Sequence, residues 1–358
     1  MGHLKRLRIF IGFLKDKASL IKTTFSTKRQ TASIRHAVLR ATSHRTSTPP
    51  SNKRIAAVLS FGHGSRTRAS ACIQALMDRL HATRNAFVAL KCLFTIHHII
   101  TRGSFILKDQ LSIYPSYGGR NFLNLSMFRD SSDPETWELS SWVRWYACVL
   151  ERNLTVSRVV GYYFSSPKSS KKMNDDNEEK VLALLSSDLL RELDALVGSV
   201  EEISDVPSSL NLQRNNLVHE VVRLVGEDYR LIQHEIFLRV GELGERLISL
   251  SREELTQFLD TLKRLEDCKD RLLRLFVNRY KNHGLWNSIH ETTTKIMVVA
   301  VNENVKEKAL MKIWRRDKSS ELSGIGERFS EFGQSLQLTS SDTWLGLDRV
   351  PLSLSTAR

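Results

Sequence analysis

The chain has 358 residues, 41% hydrophobic and 26% charged, with only seven prolines: the balance of a folded, helix-rich protein long enough to bury a sizeable core. Lys and Arg number 53 against 39 acids, a net charge of +14, and residues 1–60 hold thirteen of those bases with one acid, Asp16, so +12 of the excess sits at one end. That asymmetry points to an anionic partner, either a nucleic acid or an anionic membrane surface, and no apolar run approaches the roughly 20 residues that span a bilayer.

Residues 4–20 place Leu4, Leu7, Ile11 and Leu14 at helical spacing, with Phe10 and Phe13 alongside and Lys5, Arg6, Arg8, Lys15 and Lys17 flanking them. Such a segment either lies in a membrane interface or packs on the core. It imitates a signal peptide, but Lys15-Asp16-Lys17 follows at once without a small-residue cleavage site, and Arg6 stands where a myristoylation pattern needs Ser or Thr.

Thr31–Ser43 reads as a helix. A turn centred on Pro49 and Pro50 follows, and a second helix starts behind Ser51 and Asn52, ending at Gly62-His63-Gly64. Arg40, His44 and Arg45 stand before the turn, Lys53 and Arg54 after it, and the first turn of the second helix offers unpaired N–H groups. Taken alone, this stretch is either a headgroup-type anion site or a solvated basic loop.

Residues 66–82 and 84–101 form two strong helices, the second apolar on more than one face and therefore buried. His97 and His98 fall inside that pattern and read as a core pair, because no metal-ligand or catalytic partners accompany them. Residues 121–129 read as an irregular bend, and Asp130–Pro134 as a helix start with proline near its first position. Residues 135–163 continue as a helix whose Trp137, Trp142, Trp145, Tyr146, Tyr162 and Tyr163 read as core rather than a base-stacking stripe. Residues 165–179 are charged and aperiodic, a flexible loop. Helices follow over 180–203, 211–236, 239–248, 252–281 and 284–305, with a cap at Ser251–Glu254 and a basic continuation over 306–317. Ser and Thr dominate from Lys318, so 318–358 reads as a disordered tail.

Cys72, Cys92, Cys148 and Cys268 lie far apart in apolar helical patterns, without CxxC or zinc-ligand spacing with histidine, and read as buried, reduced thiols of a cytoplasmic protein. No P-loop, dinucleotide fingerprint, GxSxG or HExxH is present, and no acids pair around a cleft, so the sequence implies neither an enzyme, a cofactor nor a metal. The expected fold is all-α, a superhelical solenoid of helical hairpins with a short disordered tail.

Several stretches, in order, resemble the ANTH domain of clathrin assembly proteins, relatives of the ENTH domain, and most of all the plant-type members. Lys15-Asp16 with Ser19 resembles their KDxxS; residues 37–44 (AVLRATSH) resemble AVxKATxH; Lys53-Arg54-Ile55 stands where the family has Lys-His-hydrophobic after a turn; and 91–103 (KCLFTIHHIITRG) resembles KxLxxxHxLLxxG. Residues 122–131 (FLNLSMFRDS) and 142–150 (WVRWYACVL) match later signatures, so that the resemblance covers roughly residues 10–300. It implies an N-terminal amphipathic basic segment over 1–20, a lipid-binding ENTH-like part over 21–164, the loop 165–179, a second helical part of the domain over 180–317, and the tail. It implies phosphatidylinositol 4,5-bisphosphate bound by Arg40, Lys53 and Arg54, with His44 and Arg45 assisting. Ser51 stands where the family carries a further lysine, and the Arg40–Lys53 spacing is one residue longer than its pattern.

The implied function is an endocytic adaptor linking membrane to clathrin coat assembly or cargo, peripheral on the cytoplasmic side at coated pits, vesicles and the Golgi apparatus. Clathrin, adaptor complexes and vesicle SNAREs are the implied partners, the last through the 211–281 region. The tail has no Asn-Pro-Phe or Asp-Pro-Phe; Trp344, Leu345, Leu347 and Asp348 resemble a clathrin box with Trp in its leading position, whereas Asp188-Leu189-Leu190 reads as core. The rival from another class is a basic helical nucleic-acid-binding protein, although no nucleic-acid recognition element stands out.

Overall fold

The computed structural model describes residues 10–12, 14–18, 21, 29–44, 48–114, 123, 125–163, 178–208, 215–276 and 284–299. The bulk of the expected 165–179 loop, the 306–317 continuation and the 318–358 tail lie outside the described residues.

Among the described residues the structure is helical throughout, without strands. In chain order, α1 spans Arg29–Ala41, α2 Asn52–Leu59, α3 Arg66–Ala82, α4 Ala86–Arg102, α5 Phe105–Ser112, α6 Pro134–Val160, α7 Ser186–Ser204, α8 Asn216–Glu245 and α9 Arg252–Leu275. Helical residues also cover 10–18 (Phe13 apart), 178–183 and 284–299.

Capping side chains set most of the starts. Ser65 accepts from the Arg68 N–H and Asn85 from the Val88 N–H. Asp133 with Thr136, and Ser251 with Glu254, form reciprocal capping boxes, and Pro134 occupies the first turn of α6, as the sequence implied. Gly161 ends α6 at φ +84°, the left-handed cap that a Cβ disfavours.

Each helix packs on its near neighbours in sequence: α1 on α2 and α3, α3 on α4 and α5, α4 on α6, α6 on α7, and α7 on both α8 and α9. This is the stepwise stacking of an α-solenoid. α4 is its axis at the N-terminal end, since every residue from Ala86 to Ile100 is buried. The 3₁₀ turn Ser60–His63 passes so close to α5 that a Cβ on Gly62 would stand 2.2 Å from Ser104 Oγ, and only glycine fits there.

Several expectations are corrected. The 211–236 and 239–248 helices are one, α8, because the buried stripe Ile232, Ile236, Val240, Leu243 runs on without a breaker. The 180–203 helix is broken at Leu184 and Leu185, while residues 178–179, assigned to the flexible loop, are helical. α5 was not anticipated. Cys148 is exposed, and so is Trp137, at 53%. They lie eleven positions apart on α6, three helical turns, and share its outer face with Ser141 and Arg144.

The histidine pair is buried. Burial, followed by the nearby charges of Arg102, His97 and Arg223, pushes His98 down to about 3, so it is neutral and accepts from Arg102 at 2.6 Å. His97 Nδ1 meets the Tyr146 hydroxyl at 2.9 Å, and its Nε2 lies 3.1 Å from Asp228 Oδ2 but off the hydrogen-bond line. Asp228 accepts from Asn153 at 2.6 Å, so α4, α6 and α8 share one polar cluster.

Candidate functional site

α1 ends at a built corner. The Thr42 hydroxyl donates to the Val38 carbonyl at 2.7 Å, Arg79 of α3 donates to the Thr42 carbonyl at 3.3 Å, and Lys91 of α4 donates to the Ser43 carbonyl at 3.0 Å. Two cations thus satisfy the carbonyls and partial negative charge at the α1 C-terminus. Lys91 is the one charge within 86–100, and an isolated buried cation must find an acceptor; that was the sequence signal for its role.

Asp16 locks the N-terminal helical residues onto the same corner. It accepts from the His44 backbone N–H at 2.8 Å, from His44 Nδ1 at 2.7 Å and from Arg79 at 3.1 Å. Gly12 lies against His44, where a Cβ would come within 2.9 Å of the histidine's own Cβ. Burial alone would raise the Asp16 carboxyl, but the His44 hydrogen bonds and the His44 and Arg79 charges outweigh it and hold the group below its ordinary value. A depressed carboxylate stabilises the fold above its ordinary pKa and ceases to as pH falls through its folded value. Asp16→Asn is therefore expected to cost about 1.5–3 kcal/mol of local stability and to speed proteolysis within residues 10–18 at neutral pH. Wild type should reach the same protease sensitivity only below about pH 4.

Beyond the corner, Ser51 caps α2 by backbone alone, in extended geometry without a side-chain hydrogen bond. The Asn52 and Lys53 N–H groups have no partner among the described residues. Arg40 and Lys53 are exposed and Arg54 is half-buried, and none of the three side chains has a hydrogen-bond or ion-pair partner among the described residues. Pro50 is buried, which fixes the turn. α1 packs directly on α2, so Arg40 in the last turn of α1 and Lys53 and Arg54 in the first turn of α2 stand at the two ends that the turn joins. Lys15 and Lys17 are exposed on the docked N-terminal helical residues, beside exposed Phe10, Ile11 and Leu14.

Of the sequence-selected residues, then, Arg40, Lys53 and Arg54 stand at one helix junction. His44 lies beside them with its Nδ1 engaged by Asp16. Arg45, and Trp344, Leu345, Leu347 and Asp348 of the tail, lie outside the described residues. The Asp16–His44–Arg79 tie was missed; its signal was Asp16 itself, the single acid among the first 60 residues. The described residues hold no group of three or more His, Cys, Asp or Glu side chains placed to bind a metal ion, and none of their helices is long and apolar enough to cross a membrane.

The ANTH domain family model matches residues 33–290. Three relatives from Arabidopsis thaliana carry the name "Putative clathrin assembly protein". At4g40080 is 43% identical over 334 residues, covering 92% of this chain and 91% of its own length. At5g10410 is 34% identical over 277 residues, covering 74% of this chain and 78% of its own length. At2g01600 is 29% identical over 271 residues, covering 74% of this chain and 46% of its own length.

Proposed function

Because the chain belongs to the ANTH-domain family, we propose that it is a non-enzymatic adaptor whose basic end docks on phosphatidylinositol 4,5-bisphosphate at the cytoplasmic face of a membrane and which serves clathrin coat assembly there. The carrying observation is the trio Arg40, Lys53 and Arg54 at the α1–α2 junction, whose side chains, like the Asn52 and Lys53 N–H groups beside them, have no partner among the described residues. A hydrogen-bonded corner of Asp16, His44, Arg79, Lys91 and the α1 carbonyls supports it, so the trio is presented by a fixed frame. Exposed Phe10, Ile11 and Leu14 supply apolar contact with the bilayer interface next to the charges. Clathrin, adaptor complexes and vesicle SNAREs are the partners this role implies, at coated pits, vesicles and the Golgi apparatus. The relatives' names support the first of them.

The test is co-sedimentation of the full chain with phosphatidylcholine vesicles with and without the bisphosphate lipid, against a duplex DNA and a single-stranded RNA at matched salt. The expected result is lipid-dependent sedimentation. Strong, salt-sensitive binding to nucleic acid without lipid selectivity overturns the reading in favour of a nucleic-acid-binding protein.

Ser51 offers a gain-of-function check. It is exposed and its side chain caps nothing, so a lysine there adds a cation at the turn without a folding penalty from a lost hydrogen bond. Ser51→Lys is expected to tighten vesicle binding about fivefold, from roughly 1 kcal/mol per basic residue near an anionic surface. Unchanged affinity in a titration of lipid would show that the turn does not face the headgroup.

A further inference from the structure

A second pair of cations, Arg129 and Arg144, comes from the two later family-like stretches, 122–131 and 142–150. The turn at residues 125–130 folds back along α6, with the Asp130 N–H donating to Ser140 Oγ at 2.8 Å. Arg129 Nη1 donates to the Phe128 carbonyl at 2.7 Å, and Arg144 Nη1, from α6, donates to the same oxygen at 2.9 Å. Arg129 Nη1 also reaches the Ser126 carbonyl at 3.0 Å. Two guanidinium groups thus converge on one carbonyl oxygen, and neither has a carboxylate partner among the described residues. Like charges held together without an acid repel, unless an anion joins them. Burial first, and the Arg129 charge second, pull Arg144 below the ordinary guanidinium range.

Large apolar side chains flank the pair. Met127, in the same turn, is 85% exposed, and Trp137, seven positions before Arg144 on the same face of α6, is 53% exposed. The location matters as well. Asp130 accepts from the Ala86 N–H at the start of α4, and the α1 carbonyl end is held by Lys91 of the same helix, five residues or about 7.5 Å further on. The 125–130 turn and the α1–α2 junction therefore sit at the same end of α4.

We propose that Arg129 and Arg144 form a second oxyanion subsite for the phosphate of an anionic lipid headgroup, with Met127 and Trp137 seated in the bilayer interface beside it. A planar guanidinium pair matches phosphate oxygens in a bidentate fork, and tryptophan prefers the headgroup level of a bilayer. A soluble acidic peptide would match the charges, but a lipid surface also accounts for the exposed methionine and tryptophan beside them. The subsite rests on the membrane reading of the α1–α2 junction and enlarges its footprint.

The experiment compares the full chain with Arg129→Gln, Arg129→Gln/Arg144→Gln and Arg144→Lys on vesicles of phosphatidylcholine, phosphatidylserine and phosphatidylinositol 4,5-bisphosphate, with thermal melts as a folding control. Arg129 is exposed, so its single variant tests charge without touching the core. Expected are about fivefold weaker binding for the single variant, about 30-fold for the double, and for Arg144→Lys, which keeps the charge but not the fork, a smaller loss than for the double. Quenching of tryptophan fluorescence by brominated phosphatidylcholine should fall in Trp137→Phe. Wild-type affinity in the double variant, with binding still lost in Arg40→Glu/Lys53→Glu/Arg54→Glu, overturns the second subsite and leaves the junction standing. Failure of wild type to bind vesicles overturns both. If the double variant loses inositol hexakisphosphate or polyglutamate in solution but keeps vesicle binding, the ligand is a free phosphate or an acidic peptide, and the lipid assignment is overturned.

Discussion

Arg40→Glu/Lys53→Glu/Arg54→Glu is expected to weaken vesicle binding by at least about 100-fold, three cations at roughly 1 kcal/mol each being removed and then reversed. The same protein should melt no lower than wild type. Arg40 sits in the last turn of α1, where a cation favours the helix dipole, so its reversal costs a few tenths of a kcal/mol. Lys53 and Arg54 sit in the first turn of α2, which has no acid, the arrangement that the dipole disfavours. Glutamates there recover about 0.3–1 kcal/mol each. The wild-type sequence thus works against its own helix at those two positions, as expected of residues kept for a ligand rather than for stability. Loss of binding with an unchanged or higher melting temperature, measured by co-sedimentation and circular dichroism, supports the assignment. Equal binding by both proteins would sink it.

Removal of Arg239 should have the largest effect on stability. Its guanidinium, 1% exposed, donates to Glu192 of α7 at 2.6 and 3.0 Å and to Glu235 of α8 at 2.8 Å. Tyr162, just beyond α6, donates to the same Glu235 oxygen at 2.5 Å, so one arginine joins three helices. Burial alone would make Arg239 easier to deprotonate; Tyr162 and Glu235 outweigh it and keep the cation more firmly charged than usual. Arg239→Ala leaves two carboxylates buried without a counter-ion, which costs about 3–5 kcal/mol and lowers the melting temperature by roughly 5–10 °C. The triple change Arg239→Met/Glu192→Leu/Glu235→Leu should recover much of that loss, since apolar replacement of a whole buried ion cluster is often neutral or stabilising. A melting temperature within about 2 °C of wild type for Arg239→Ala would show the cluster to be dispensable.

Much of this molecule was legible before folding. Helix periodicity, the capping box at Ser251–Glu254, the Pro134 start and the block of charge at residues 1–60 are all written within a turn or two of chain. The motif order over residues 10–300 carried the family, and with it the junction at Arg40, Lys53 and Arg54. α8 escaped as one helix because the reading ended at Ile236 and restarted at Arg239, a pause over Phe237 and Leu238. The folded chain decides otherwise, since Arg239 bonds across that pause to Glu235. Cys148 and Trp137 escaped because apolar letters in a buried-looking run do not say which face of α6 meets α4 and α7.

By itself the sequence determined what is local: where helices run, what caps them, and how unevenly charge is spread, since each depends on residues three or four apart. Only the tertiary structure decided which charges are spent and which stay free. Asp16 meets His44 across 28 positions and Arg79 across 63. Arg144 reaches the carbonyl beside Arg129 only because a turn folds back over α6. Those pairings depend on helix packing, which no spacing along the chain encodes. They leave Arg40, Lys53 and Arg54 without partners among the described residues and gather a second pair of cations at the same end of α4.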